Sequence, residues 1–213
     1  MKKSNEQIIF KEELINSLSH GLGLVFGIIA IPILTALAAT KGSPIAIVGT
    51  AVYGFGFLFV YGSSTIYHGV THPKAKAMMR VIDHISIFFM IAGSYTPFIL
   101  AYRFDSFGIT MLCIMWGIVL FGTIFKMIYA ARFHIVSTVC YVVMGWMVIF
   151  FGKSLLGAMP VSCVVLLLVG GVLYSLGVVF FLWEKLRYNH AIWHAFVLLA
   201  SVCHYVAVLL TLV

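Results

Sequence analysis

The chain has 213 residues, of which 63% are hydrophobic and only 9% charged, and its formal net charge is +7. A soluble domain carries about 45–50% apolar and about 25% charged residues. The composition therefore excludes a disordered chain, a collagen, a disulfide scaffold and an ordinary soluble enzyme, and leaves a polytopic membrane protein of one domain, residues 1–213.

Seven apolar runs have the length that a membrane helix needs, about 20 residues. In chain order they are Asn16–Ala39, Pro44–Tyr67, Val81–Tyr102, Phe107–Tyr129, His134–Phe151, Pro160–Trp183 and Asn189–Leu212. A short polar segment, residues 1–15, precedes the first. It shows no short apolar core with a small-residue cleavage site, so the first helix is expected to stay in the protein. Between the first and second runs lies Lys41-Gly42-Ser43-Pro44, and Gly23-x-x-x-Gly27 in the first run fits close helix packing. His72-Pro73-Lys74 leads into the third run, where Pro97 is expected to kink the helix near Ser94-Tyr95-Thr96. Arg103-Phe104-Asp105 leads into the fourth run and Ala158-Met159-Pro160 into the sixth. The runs are apolar all round rather than alternating, which argues for helices over barrel strands. The expected fold is an all-α membrane protein of seven transmembrane helices.

The basic residues orient it. The N-terminal segment and the second, fourth and sixth connections hold Lys2, Lys3, Lys11, Lys74, Lys76, Arg80, Lys126, Arg132, Lys185 and Arg187. The opposite side holds Lys41, Arg103 and Lys153. This asymmetry puts the N-terminus in the cytoplasm and the C-terminus outside. The cations are scattered between apolar runs, which argues against nucleic acid as a partner. Cys113, Cys140, Cys163 and Cys203 all lie inside apolar runs and read as small buried residues.

Ionisable groups inside membrane helices are costly and point to function. Glu13, Asn16 and His20 begin the first helix, Ser64 and His68 close the second, Asp83 and His84 open the third, and His190 and His194 open the seventh. The topology brings all of them to the cytoplasmic level. His190 and His194 stand at i, i+4, an offset of about 40° and about 6 Å along a helix, from which two imidazoles can share one metal ion. A third ligand should come from another helix at the same depth. His68 is the best candidate, and His20 and His84 compete with it. His72 and His134 read as interfacial. His204 lies about 15 Å deeper than His194 and cannot reach the same ion. Three imidazoles leave one tetrahedral position of Zn2+ open, the arrangement of catalytic rather than structural sites, although copper or nickel would bind them too. Asp83 could orient a water and pass its proton to a leaving amine, or it could pair with Arg80 or serve as a helix N-terminal charge. Ser64 could hydrogen-bond the acid or a substrate oxygen. Glu13, Asn16 and His20 read either as a polar first turn or as residues that orient the metal ligands.

In order and on these helices, Glu13-x-x-Asn16-x-x-x-His20, Ser64-x-x-x-His68, Asp83, Gly93-Ser94-Tyr95-Thr96-Pro97-Phe98 and Asn189-His190-Ala191-Ile192-Trp193-His194 resemble the hemolysin III family of bacterial inner-membrane proteins, within the progestin and adipoQ receptor (PAQR) family. The resemblance covers nearly the whole chain. It implies seven helices with the N-terminus inside, zinc held by His68, His190 and His194, an acid at Asp83 that reaches zinc through water, and a serine at Ser64. It also implies a ceramidase-like hydrolysis of lipid amides, because the adiponectin receptors and alkaline ceramidases of the wider group carry that activity. The receptors have a long cytoplasmic N-terminal region, and this chain has about fifteen residues there, so their signalling partners do not carry over.

The expected function is a zinc-dependent intramembrane hydrolase acting on a lipid, in membrane lipid homeostasis. The alternatives are a non-enzymatic sensor or homeostasis factor with structural zinc, and a membrane-lytic haemolysin (cytolysis). The expected location is the bacterial inner membrane, with the oligomeric state, including a homo-oligomer, left open.

Overall fold

A computed structural model describes residues 2–130 and 132–213, with the side chains of 2–6, 151 and 153 outside the description. Lys2, Lys3 and Lys153, three of the cations used above for orientation, therefore lie outside the described side chains. The helices are α1 (Lys2–Thr40), α2 (Pro44–Gly69), α3 (Pro73–Tyr102), α4 (Ser106–Tyr129), α5 (His134–Gly145), α6 (Met147–Leu156), α7 (Val161–Leu182) and α8 (Asn189–Leu210). By length and composition six of them are able to cross a membrane, namely α1, α2, α3, α4, α7 and α8. The tandem of α5 and α6 supplies the seventh apolar segment.

The seven-span reading holds, with two differences of boundary. The fifth run is expected as one helix over His134–Phe151, but it is two helices that meet at Trp146 and end at Leu156. Tyr95 of α3 accounts for the break. Its hydroxyl donates toward the carbonyls of Met144 and Gly145 and accepts from the Val148 N–H at 2.9 Å. A side chain inserted into the i to i−4 ladder satisfies the backbone groups that the break releases. The other difference is that α1 and α3 start well before their apolar runs, so Glu13 and Asp83 lie inside helices rather than at their first turns.

Local chemistry starts the helices where the connections are. Ser43 caps α2 by accepting from the Ala46 N–H at 3.3 Å, with Pro44 at the first helical position. Asp105 caps α4 through the Gly108 N–H at 2.9 Å, and that bond holds its carboxyl below the usual range. At the start of α8, Tyr188 takes a left-handed φ of 58°, and the Asn189 side-chain amide donates to the Phe181 carbonyl at 3.2 Å, tying the end of α7 to the beginning of α8.

The wholly buried side chains include Tyr53, Phe57, Tyr61, Phe98, Met111 and Met115, whereas Ile28, Leu120, Phe121, Phe150 and Val179 face outward. An apolar exterior around a core that holds polar groups is the arrangement a bilayer imposes. Small residues let the helices approach. A Cβ at Gly56 would lie 2.8 Å from the Phe89 carbonyl oxygen, and one at Gly49 would lie 3.0 Å from Pro97 Cα, so α2 and α3 meet nearly backbone to backbone. Gly23 and Gly27 work differently: they receive the rings of Tyr61 and Phe57 from α2. Gly23→Ala would drive a methyl into the Tyr61 ring. It is expected to lower stability by about 1–3 kcal/mol, the usual cost of overpacking, measurable as an earlier thermal unfolding midpoint in detergent. An unchanged midpoint would show that α1 docks elsewhere.

Candidate metal centre

The ends of α2, α4 and α7 and the beginnings of α3, α5 and α8 share one face of the bundle, and the polar residues gather there. His68 sits in the last turn of α2, and His190 and His194 sit on one face of the first turns of α8. One ligand nitrogen from each lies within 4.8 Å of the other two. The ring centroids are 5.0 Å (His68–His190), 5.2 Å (His68–His194) and 4.5 Å (His190–His194) apart. His84 lies outside this group and turns to α4. The His20 ring packs against that of His194, with centroids 3.6 Å apart and planes tilted by 39°, rather than joining the triangle.

Two of the three rings are anchored through Nδ1. His68 Nδ1 lies 3.1 Å from Glu13 Oε2, and Lys76 Nζ reaches the same oxygen at 2.5 Å. His194 Nδ1 lies 2.9 Å from Ser19 Oγ and 3.2 Å from the Asn16 carbonyl oxygen. With Nδ1 committed in both rings, Nε2 is the free lone pair. His68 Nε2 is buried without a hydrogen-bond partner among the described residues, as are both nitrogens of His20. A buried imidazole nitrogen without a partner is costly, and a divalent ion would satisfy it. The donor set fits zinc on these grounds: three imidazoles from two helices, with carboxylate and carbonyl oxygens behind two of them.

Asn16 acts through its backbone carbonyl, which its side-chain chemistry did not foretell. Ser19 and Lys76 were missed. Ser19 stands one helical turn from Asn16, a spacing that could have singled it out, and Lys76 reads from sequence as one more connection charge. If Glu13 orients His68, then Glu13→Gln should weaken zinc affinity by about 10–100-fold, measured by competition with a chromophoric chelator. Unchanged affinity would make the carboxylate a partner of Lys76 only.

Asp83 and Ser64 are both buried, and both line the same cavity. Among the described residues Asp83 makes no ion pair with Arg80. The ion pairs are His68–Glu13, Lys76–Glu13 and Arg103–Asp105. Asp83 also lies too far into α3 to serve as a helix N-terminal charge. It lines an internal cavity of about 180 Å³ together with His20, Ser64, His190 and His194. From there the cavity runs between α3, α5, α7 and α8 past Phe98, Val197 and Leu167 to Leu155 and Leu156 of α6. His134, read from sequence as interfacial, borders this cavity, and His204 borders it deeper in the bundle, beside the Leu167 carbonyl.

Comparison with known proteins gives one family. The model described as haemolysin-III related matches residues 8–205. The chain is 41% identical to the Hemolysin-3 homolog of Bacillus subtilis (strain 168) over 93% of each chain. It is 43% identical to Hemolysin-3 of Bacillus cereus over 93% of this chain and 91% of that one. The human Monocyte to macrophage differentiation factor, a distant PAQR-family homologue, is 30% identical over 74% of this chain and 67% of its own.

Proposed function

The chain belongs to the haemolysin-III related family, and from that premise and the histidine cluster we propose that it is a zinc-dependent intramembrane hydrolase of lipid amides, ceramidase-like, acting in lipid homeostasis of the bacterial cell membrane. One observation carries the reading: two of the three clustered histidines, His190 and His194, line the same apolar cavity as Asp83 and Ser64. A closed structural site has no need of an acid and a cavity on its open side.

His68, His190 and His194 would hold the ion. When bound there, zinc supplies a Lewis acid that polarises a carbonyl and acidifies water. The protein's own groups do the rest. The apolar walls hold the acyl chain and keep bulk water away from the amide. Asp83 takes a proton from the attacking water as the C–O bond forms, and gives it to the amine nitrogen as the C–N bond breaks. Ser64 holds the Asp83 carboxyl in position. The site lies on the cytoplasmic side, with the N-terminus inside, on the strength of the basic-residue asymmetry.

Purified protein offered a long-chain N-acyl amide with a fluorogenic amine tests this. Turnover that stops on chelation and returns with zinc supports it. No turnover of amide or ester under any metal condition sinks it. The second reading, zinc as a structural clasp, draws on the way Glu13, His68 and Lys76 knit α1, α2 and α3 together. Under that reading zinc changes stability alone. The lytic reading rests on the name of the Bacillus cereus relative and predicts conductance from purified protein in planar bilayers.

A further inference from the structure

Lys126 stands in the last turn of α4, where a lysine ordinarily complements the helix dipole and extends its ammonium to water. Here it does the opposite. Its side chain is fully buried, at 0% exposure, and it borders the internal cavity. Nζ donates to His84 Nδ1 at 3.2 Å. Among the described residues it makes no other hydrogen bond and no ion pair. An ammonium has three donors, so two remain unused, and a buried charge without a counter-ion is costly.

Further basic side chains surround it. His84, His134 and His190 line the same cavity as Lys126. Basic side chains from α3, α4, α5 and α8 thus line one mainly apolar cavity, and Asp83 is the only carboxylate among its lining residues. An uncharged headgroup leaves the Lys126 ammonium without a counter-ion. An aliphatic chain ending in a group with several anionic oxygens matches both halves of the cavity.

We infer that the cavity takes a lipid bearing a phosphate group, with Lys126 Nζ and His84 as the phosphate-binding pair and the apolar walls around its acyl chain. The inference rests on reading the cavity as a lipid site and names the class of lipid. It does not depend on hydrolysis or on a bound metal.

1-Oleoyl-lysophosphatidate and monooleoylglycerol differ by the phosphate alone and serve as probes. Their binding to the full chain in a neutral detergent is measured with radiolabelled lipid. The phosphate form is expected to bind at least about tenfold more tightly, the scale of a charge-assisted hydrogen bond. Lys126→Met, which keeps the length and removes the charge, should bring the two lipids within about twofold of each other, and Lys126→Arg should keep the preference. Treating the wild-type protein with a chelator should also keep it, which separates this site from a bound metal. Equal binding of the two lipids by the wild-type protein overturns the inference without recourse to any variant. So does a preference that survives Lys126→Met, or one that vanishes on chelation. Inorganic phosphate at the same concentration should not displace the labelled lipid, and displacement would make the site one for a small anion rather than for a lipid. A protein that binds lysophosphatidate in this way yet cleaves no amide would retain this inference and lose the hydrolase reading.

Discussion

Purified wild-type protein is expected to carry about one zinc ion per chain, and His190→Ala/His194→Ala to carry none. The double variant removes two of the three imidazoles whose ligand nitrogens lie within 4.8 Å of one another, and leaves His68 with its Glu13 anchor but no companion. Stability should follow occupancy. An ion that binds only the folded state at a thousand times its dissociation constant adds about 4 kcal/mol. Chelation should therefore lower the thermal midpoint of the wild-type protein and leave that of the variant unmoved. Equal metal content in the two proteins would place the ion elsewhere, and no metal in either would remove zinc from every reading of this cluster.

The second large effect is expected at Asp83. Asp83→Asn should lower amide hydrolysis by about 10²–10⁴-fold, the usual contribution of a positioned general acid–base group, while zinc content stays at the wild-type value. The separation of the two readouts is the point of the variant. Asp83 is not one of the three clustered ligands, yet it shares the cavity with two of them. The amide side chain keeps the shape and can still pair with Ser64, so a fall in rate reports the lost proton acceptor. Hydrolysis within about tenfold of wild type would exclude Asp83 as the proton carrier.

The histidine triangle was legible because its spacing carries it. His190 and His194 stand one helical turn apart, and any helix through them puts both rings on one face. His68 was harder, since His20 and His84 lie at the same depth and spacing does not choose among them. The choice falls to the rotation of each helix about its axis. Gly23 and Gly27 seat α1 on the rings of Tyr61 and Phe57, and the His20 ring comes to rest on His194 instead of beside its free nitrogen. His84 turns toward α4 and meets Lys126. The same rotation hides Lys126, which reads from sequence as one more cation of a cytoplasmic connection and is in fact wholly buried.

By itself the sequence determined that this is a membrane protein with seven apolar segments, and which end of each helix carries its polar residues. Without water the backbone must satisfy its hydrogen bonds within each segment, so length and apolar content suffice to specify helices. Only the tertiary structure decided which of those polar residues meet, where the fifth segment breaks at Trp146 under the Tyr95 hydroxyl, and that an apolar cavity opens beside the cluster. Those outcomes depend on how closely neighbouring helices approach and how each is turned about its axis. Close packing at small residues such as Gly49, Gly56 and Gly93 governs both, and the periodicity of a single helix carries no record of it.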